Sequence, residues 1–168
     1  ERIVENAEFE SSLDTTDEWI RTRSGIERRH FAAEGQHTSD LAAEAAKAAL
    51  AQAGLTAGDI DAIVVATSTP DLTFPSVATM VQQKIGMERG FGFDVQAVCA
   101  GFVFALTTAN GLILSGQAER VLVIGTETFS RIMDWTDRGT CVLFGDGAGA
   151  LILEAQECTG TTADRGIL

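Results

Sequence analysis

The run Ile60-Asp61-Ala62-Ile63-Val64-Val65-Ala66-Thr67 limits what this chain can fold into more than any other stretch of its 168 residues. Small and β-branched apolar residues follow one another with a single charged interruption. A strand with one wet face alternates, whereas an unbroken run belongs to a strand covered on both faces. Two further strands follow. Phe91, Phe93, Val95 and Ala97 alternate with Gly92, Asp94 and Gln96, and Val121-Leu122-Val123-Ile124 lies within a strand over Arg120–Thr126. The intervening segments have helical length, so strand, helix, strand, helix, strand gives two crossover units on a mainly parallel sheet. The fold class is α/β, and the length suits one domain over residues 1–168 with a substantial core.

The helix ends carry their own signals. Thr15 and Glu18 have capping-box spacing ahead of a short helix Asp17–Thr22 that ends at Gly25. A helix from Ser39 to Ala53 turns Leu41, Ala45, Ala48 and Ala49 inward and closes at Gly54. Pro75 opens the next helix as a first-turn proline, and Gly86 closes it. From Phe102 to Leu114 the sequence is apolar enough for a buried helix. Arg28-Arg29-His30 has the polarity of a solvated turn. A last strand, Ala148–Glu154, follows the glycine-rich turn Gly145–Gly149, and the segment from Cys158 to Arg165 has the composition of a loop. The chain opens on Glu1-Arg2 without Met and stops at Gly166-Ile167-Leu168, like the start of a strand. A piece of a longer protein is expected.

Charge and cysteine count exclude several classes of function. Twelve basic against 24 acidic residues give a net charge of −12, which argues against a nucleic-acid partner. Cys99, Cys141 and Cys158 have no close pair, so neither a disulfide framework nor a zinc site is expected, and a reducing, cytoplasmic setting fits. Thr107, Thr108 and Asn110 interrupt the longest apolar run, so no membrane span is expected. His30 and His37 lack metal-ligand spacing and default to the surface.

The candidate chemistry centres on Ala97-Val98-Cys99-Ala100-Gly101-Phe102. Cys99 falls where a strand stops and a helix begins, and there unpaired N–H groups and the helix dipole favour a thiolate. Ala100 and Gly101 leave room for a substrate. Taken alone, a cysteine in an apolar run is more often inert core. The turn Gly145-Asp146-Gly147-Ala148-Gly149 precedes a strand instead of opening a helix, which rules out a dinucleotide fingerprint. It is expected to need positive φ or close packing.

Six segments together carry a resemblance: Asp14-Thr15-Thr16-Asp17-Glu18-Trp19-Ile20, Thr22-Arg23-Ser24-Gly25-Ile26, Phe74-Pro75-Ser76, Ala97–Phe102, Thr136-Asp137-Arg138-Gly139-Thr140 and Phe144–Ala150. In this order and spacing the chain resembles the N-terminal half of the β-ketoacyl-acyl-carrier-protein synthase III family. That resemblance implies a thiolase-like fold of two similar halves and a homodimer. It also implies a ping-pong condensation of an acyl-CoA primer, usually acetyl-CoA, with malonyl-acyl-carrier protein. Cys99 takes the nucleophile position, and its backbone N–H takes one arm of the oxyanion hole.

Residue by residue, Trp19 and Arg138 match the pair around the CoA adenine, Arg23 a phosphate contact and Thr15 a lesser polar contact. Phe74 matches a residue crossing the dimer interface into the partner's acyl pocket. Cys141 and Cys158 match nothing catalytic. CoA is substrate, so no cofactor and no metal is implied. The family's catalytic His and Asn belong to the other half, and its first strand precedes Glu1, so this chain is not expected to complete turnover alone. A basic docking patch for the carrier protein is not evident, with Arg28-Arg29 a weak candidate. Two rivals stand beside this reading. One is another thiolase-fold acyltransferase of polyketide or quinolone-signal type. The other is a catalytically silent CoA-binding protein of the same fold.

Overall fold

The computed structural model describes residues 2–161, 163, 164, 166 and 167. The expectations for Arg165 and for Leu168 lie outside these residues. Its centre is β3 (Ala62–Ala66), every residue of which is buried. The four-stranded sheet runs β4-β3-β5-β6, with β4 (Phe91–Val95), β5 (Arg120–Thr128) and β6 (Asp146–Glu154). β3 pairs parallel with β4 and with β5, while β6 lies antiparallel against β5. Chain neighbours predicted two crossovers, and the sheet contains them. The one charge in the central run sets the register at its start. Asp61 Oδ2 accepts the N–H groups of Glu119 and Arg120 at 2.8 and 2.9 Å, and Asp61 N donates to Arg120 O at 3.0 Å.

Alternate residues of β3 enter two cores. Ile63 and Val65 pack with Leu122 and Ile124 under α2 (Thr38–Ala53) and α3 (Val77–Ile85). Ala62, Val64 and Ala66 pack with Val121 and Val123 under α4 (Gly101–Leu114). Helix ends at Gly25, Gly54 and Gly86 are left-handed as expected, with φ of 74°, 68° and 74°. β1 (Arg2–Glu5) and β2 (Arg28–Phe31) pair as a second, antiparallel sheet.

Several expectations change. α1 spans Asp17–Ser24, and its cap is Thr16, whose Oγ1 accepts from Trp19 N at 3.1 Å; Thr15 does not cap. The cap moves by one residue because the Asp17 N–H is already held by Glu10 Oε1 at 2.9 Å. Ser76 caps α3, and Pro75 stands before it across a cis Phe74–Pro75 bond, not in the first turn. In α2 the inward stripe is Leu41, Ala42, Ala43, Ala46 and Leu50, while Ala48 is exposed.

Arg28-Arg29-His30 is a strand, not a turn, and Arg29 is buried. Its guanidinium donates to Val142 O at 2.9 Å and Val4 O at 3.4 Å and lies 4.7 Å from the Phe9 ring centroid. That placement also removes it from any docking patch. α4 is apolar on every side, but only Gly101, Ala105 and Ala109 are buried, with Val103, Phe104 and Leu114 exposed. The sheet covers one stripe of a helix, and no described residue covers the rest. Among the described residues no helix is long and apolar enough to cross a membrane.

Candidate active site

The parallel strands end together, and a cleft of about 290 Å³ opens at their carboxyl ends. In α/β sheets this is where backbone groups and loops are free to meet a ligand. Its wall takes Ala66 from β3, Gly125 and Glu127 from β5, and Gly147 and Gly149 from β6, and Cys99 and Phe102 face the same space. Cys99 is exposed. It sits in a 3-10 turn, Val98–Ala100, that feeds α4. Val98, immediately before it, has φ of +48°, the only described non-glycine residue with positive φ. For a β-branched side chain that conformation costs on the order of 1–3 kcal/mol, and such strain gathers where a turn must present a functional residue.

Absent side chains make the approach possible. A Cβ on Gly101 would come within 3.3 Å of Ala66 Cβ, and one on Gly125 within 3.1 Å of the Phe102 ring. The start of α4 therefore lies directly on β3 and β5, and a larger residue would lift Cys99 off the strand ends. The glycine-rich segment behaves differently from the positive-φ expectation: none of Gly145, Gly147 and Gly149 has positive φ, and residues from Asp146 onward belong to β6. Close packing holds at Gly145, where a Cβ would meet Arg29 Cβ at 3.0 Å. A Cβ on Gly147 or Gly149 would meet nothing within 4 Å, and the bare backbone of both leaves the cleft open.

Glu127 was not singled out from sequence. It extends the β3–β5 pairing beyond the last backbone register, Ala66 against Gly125. Its Oε1 accepts Ser68 N at 2.8 Å, and its Oε2 accepts the hydroxyls of Thr67, at 3.4 Å, and Thr69. A signal existed, since a carboxylate ends the apolar strand Val121-Leu122-Val123-Ile124-Gly125-Thr126-Glu127.

A second group of predicted residues comes together around Trp19. The guanidinium carbons of Arg23 and Arg138 lie 4.5 and 4.9 Å from the Trp19 ring, within cation–π range. Arg138 Nη1 also donates to Asp14 O at 2.5 Å and stands 3.4 Å from Asp14 Oδ2. Trp19 is half-buried and packs against the cluster of Val4, Phe9, Ile20, Cys141 and Val142, so it is both a stacking surface and part of a small core. The Thr15 hydroxyl oxygen is buried without a partner among the described residues. Phe74 is 81% exposed on the β3–α3 connection. His30 and His37 are exposed, and no described group of His, Cys, Asp and Glu could hold a metal.

A half-domain with a central parallel pair, an antiparallel edge strand and a cysteine at the mouth of the core helix is thiolase-like. The solved 3-oxoacyl-[acyl-carrier-protein] synthase III from Aquifex aeolicus VF5 superimposes with a TM-score of 0.91 at 45% identity, over 94% of this chain and 51% of that one. A priming β-ketosynthase from the R1128 polyketide biosynthetic pathway gives 0.88 at 37%, over 92% and 46%. The curated β-ketoacyl-[acyl-carrier-protein] synthase III of Rhodobacter capsulatus is 80% identical over 167 residues, 99% of this chain and 52% of its own length. The family model for 3-oxoacyl-[acyl-carrier-protein (ACP)] synthase III matches residues 93–164. The chain belongs to the β-ketoacyl-[acyl-carrier-protein] synthase III family, and it spans about half the length of the curated relatives it matches.

Proposed function

We propose that this chain is the cysteine-bearing half of an enzyme that condenses an acyl-CoA primer, acetyl-CoA first among them, with malonyl-acyl-carrier protein. The supporting observation is the exposed Cys99, presented into a cleft at the strand ends by a strained turn. The Cys99 thiolate attacks the thioester carbonyl, the carbon–sulfur bond to CoA breaks, and CoA leaves as its thiolate and takes up a proton. The malonyl group then loses CO2. The electron pair left on its α-carbon attacks the acyl-cysteine, and Cys99 departs as thiolate. The Cys99 N–H serves as one arm of the oxyanion hole.

Trp19, Arg23 and Arg138 hold the CoA nucleotide, where an indole and two guanidiniums suit a base and phosphates. Their mutual stacking fits that role, and Thr15 takes the lesser polar contact. For a base to enter between Trp19 and Arg138, the arginine must move outward, since two stacking gaps need about 7 Å against the 4.9 Å found. Phe74 reaches across a homodimer into the partner's acyl pocket, consistent with its exposure. The setting is cytoplasmic, no cofactor is required, and the remaining catalytic groups come from the other half.

Incubating the full-length protein with acetyl-CoA and mapping peptides by mass tests this directly. An acetyl group on Cys99 is expected; its absence favours a silent CoA-binding protein. A polyketide-type priming synthase is the second reading, favoured by the similarity to the R1128 enzyme. Faster turnover with malonyl-CoA than with malonyl-carrier protein would select it.

A further inference from the structure

Among the residues lining the Cys99 cleft, Glu127 carries the one carboxylate; the others are small, apolar or hydroxyl-bearing apart from the thiol itself. Three donors from consecutive residues surround it, the Ser68 N–H and the Thr67 and Thr69 hydroxyls. Thr69 Oγ1 also accepts Thr128 N at 2.8 Å, so its single proton is committed to Glu127. Donors and no acceptor are the company of a carboxylate, and they clamp it in place. The other hydroxyl of the wall, Thr126, donates to Thr38 O at 3.2 Å. The hydroxyl hydrogens around Glu127 are therefore spent, and a second carboxylate brought against it would meet a fixed like charge. In a cleft walled by apolar and small groups such a charge is weakly screened.

We propose that Glu127 is a specificity-determining residue: its fixed charge admits uncharged acyl groups to Cys99 and turns away acyl groups that end in a carboxylate. The inference rests on the acyl-transfer reading above and deepens it. The two thioesters of that reaction differ by one carboxylate. A cysteine open to both would load malonyl groups onto itself. A negative wall on the side that takes the loaded acyl group keeps Cys99 for the neutral primer, and the malonyl group of the second step attacks the acyl-cysteine with its carboxylate turned away from Glu127.

The test uses the full-length protein and two CoA thioesters of matched size, malonyl-CoA and its neutral primary amide, with acetyl-CoA alongside. Initial rates of Cys99 acylation are read by intact mass, which distinguishes malonyl, malonamoyl and acetyl adducts. The wild-type protein is expected to prefer the amide by at least about tenfold. Glu127→Gln is expected to narrow that ratio severalfold, and Glu127→Asp to keep it. Equal loading of acid and amide by the wild type, which needs no variant to fold, overturns the proposal. So does an undiminished ratio in Glu127→Gln. Acetyl transfer without discrimination defeats only this inference, whereas no adduct from any thioester defeats the acyl-transfer reading and this one with it.

Discussion

Three cysteines show how much surroundings decide. Cys141 is fully buried, and burial foremost, with Asp137 second, pushes its thiol above the ordinary value. A raised thiol pKa means less thiolate at any given pH, so Cys141 is expected to alkylate last, more than about tenfold behind the exposed pair. Cys99 and Cys158 are both exposed, so exposure does not separate them. The strained turn and the helix start predict that Cys99 leads; an iodoacetamide time course with peptide mapping checks the order, and equal labelling of the two counts against activation. Trp19→Ala is expected to weaken CoA binding by about 1–2 kcal/mol, roughly 5- to 30-fold in Kd by calorimetry. Because Trp19 also packs on a core, a loss of stability with unchanged affinity would reduce it to a packing residue. Cys99 was legible from sequence because a strand, a cysteine, two small residues and an apolar run state their own order. Glu127 was not, because its role depends on Thr67–Thr69, about 60 residues away.

At the level of elements, β4 holds the start of α3 through Asp94, which accepts Val77 N at 2.8 Å and Ala78 N at 2.9 Å. Burial, its largest influence, raises the Asp94 carboxyl above its ordinary 3.8 despite those two bonds. A carboxyl whose folded pKa is raised binds more protons folded than unfolded between the two values. Its contribution is therefore greatest at low pH and falls as pH climbs from about 3.8 through the folded value. Asp94→Asn should thus gain stability relative to wild type as pH rises across that window, as urea melts at successive pH values would show. A constant difference would contradict it. Asp94→Ala, which leaves both N–H groups without their acceptor, is expected to cost about 1–2 kcal/mol at neutral pH. Helix stops were readable because glycine alone adopts those end conformations cheaply. Helix starts were less exact: the cap of α1 falls on Thr16 instead of Thr15, and α3 begins at Val77, two residues past Pro75, since Glu10 and Asp94, outside the two helices, hold the first N–H groups.

Across the whole molecule, Asp146 joins the two sheets. Its carboxylate accepts Ala32 N at 2.8 Å just past β2, and the N–H and hydroxyl of Ser130 at 2.8 and 2.6 Å beyond β5. Buried and shared by three donors, it is expected to cost about 2–4 kcal/mol when replaced by Ala. Hydrogen exchange should then rise in both β2 and β6; a change confined to one sheet would show that the tie is local. Buried Arg29 works at the same junction, and its burial is what sequence could not supply, since Arg28-Arg29-His30 has the polarity of a surface turn until the carbonyls of Val4 and Val142 close on it. The apolar run at Ile60–Thr67, the glycine stops and the order of the six motifs are local facts, and they sufficed for the α/β class, the family and the place of Cys99 between a strand and a helix. What is shared between distant segments needed the folded chain: a carboxylate and a thiol lining one cleft, the arginines over Trp19, and which stripe of α4 is covered. Periodicity records a residue's own preference for burial, whereas a hydrogen-bond partner or a neighbouring charge is fixed only when long-range packing has chosen it.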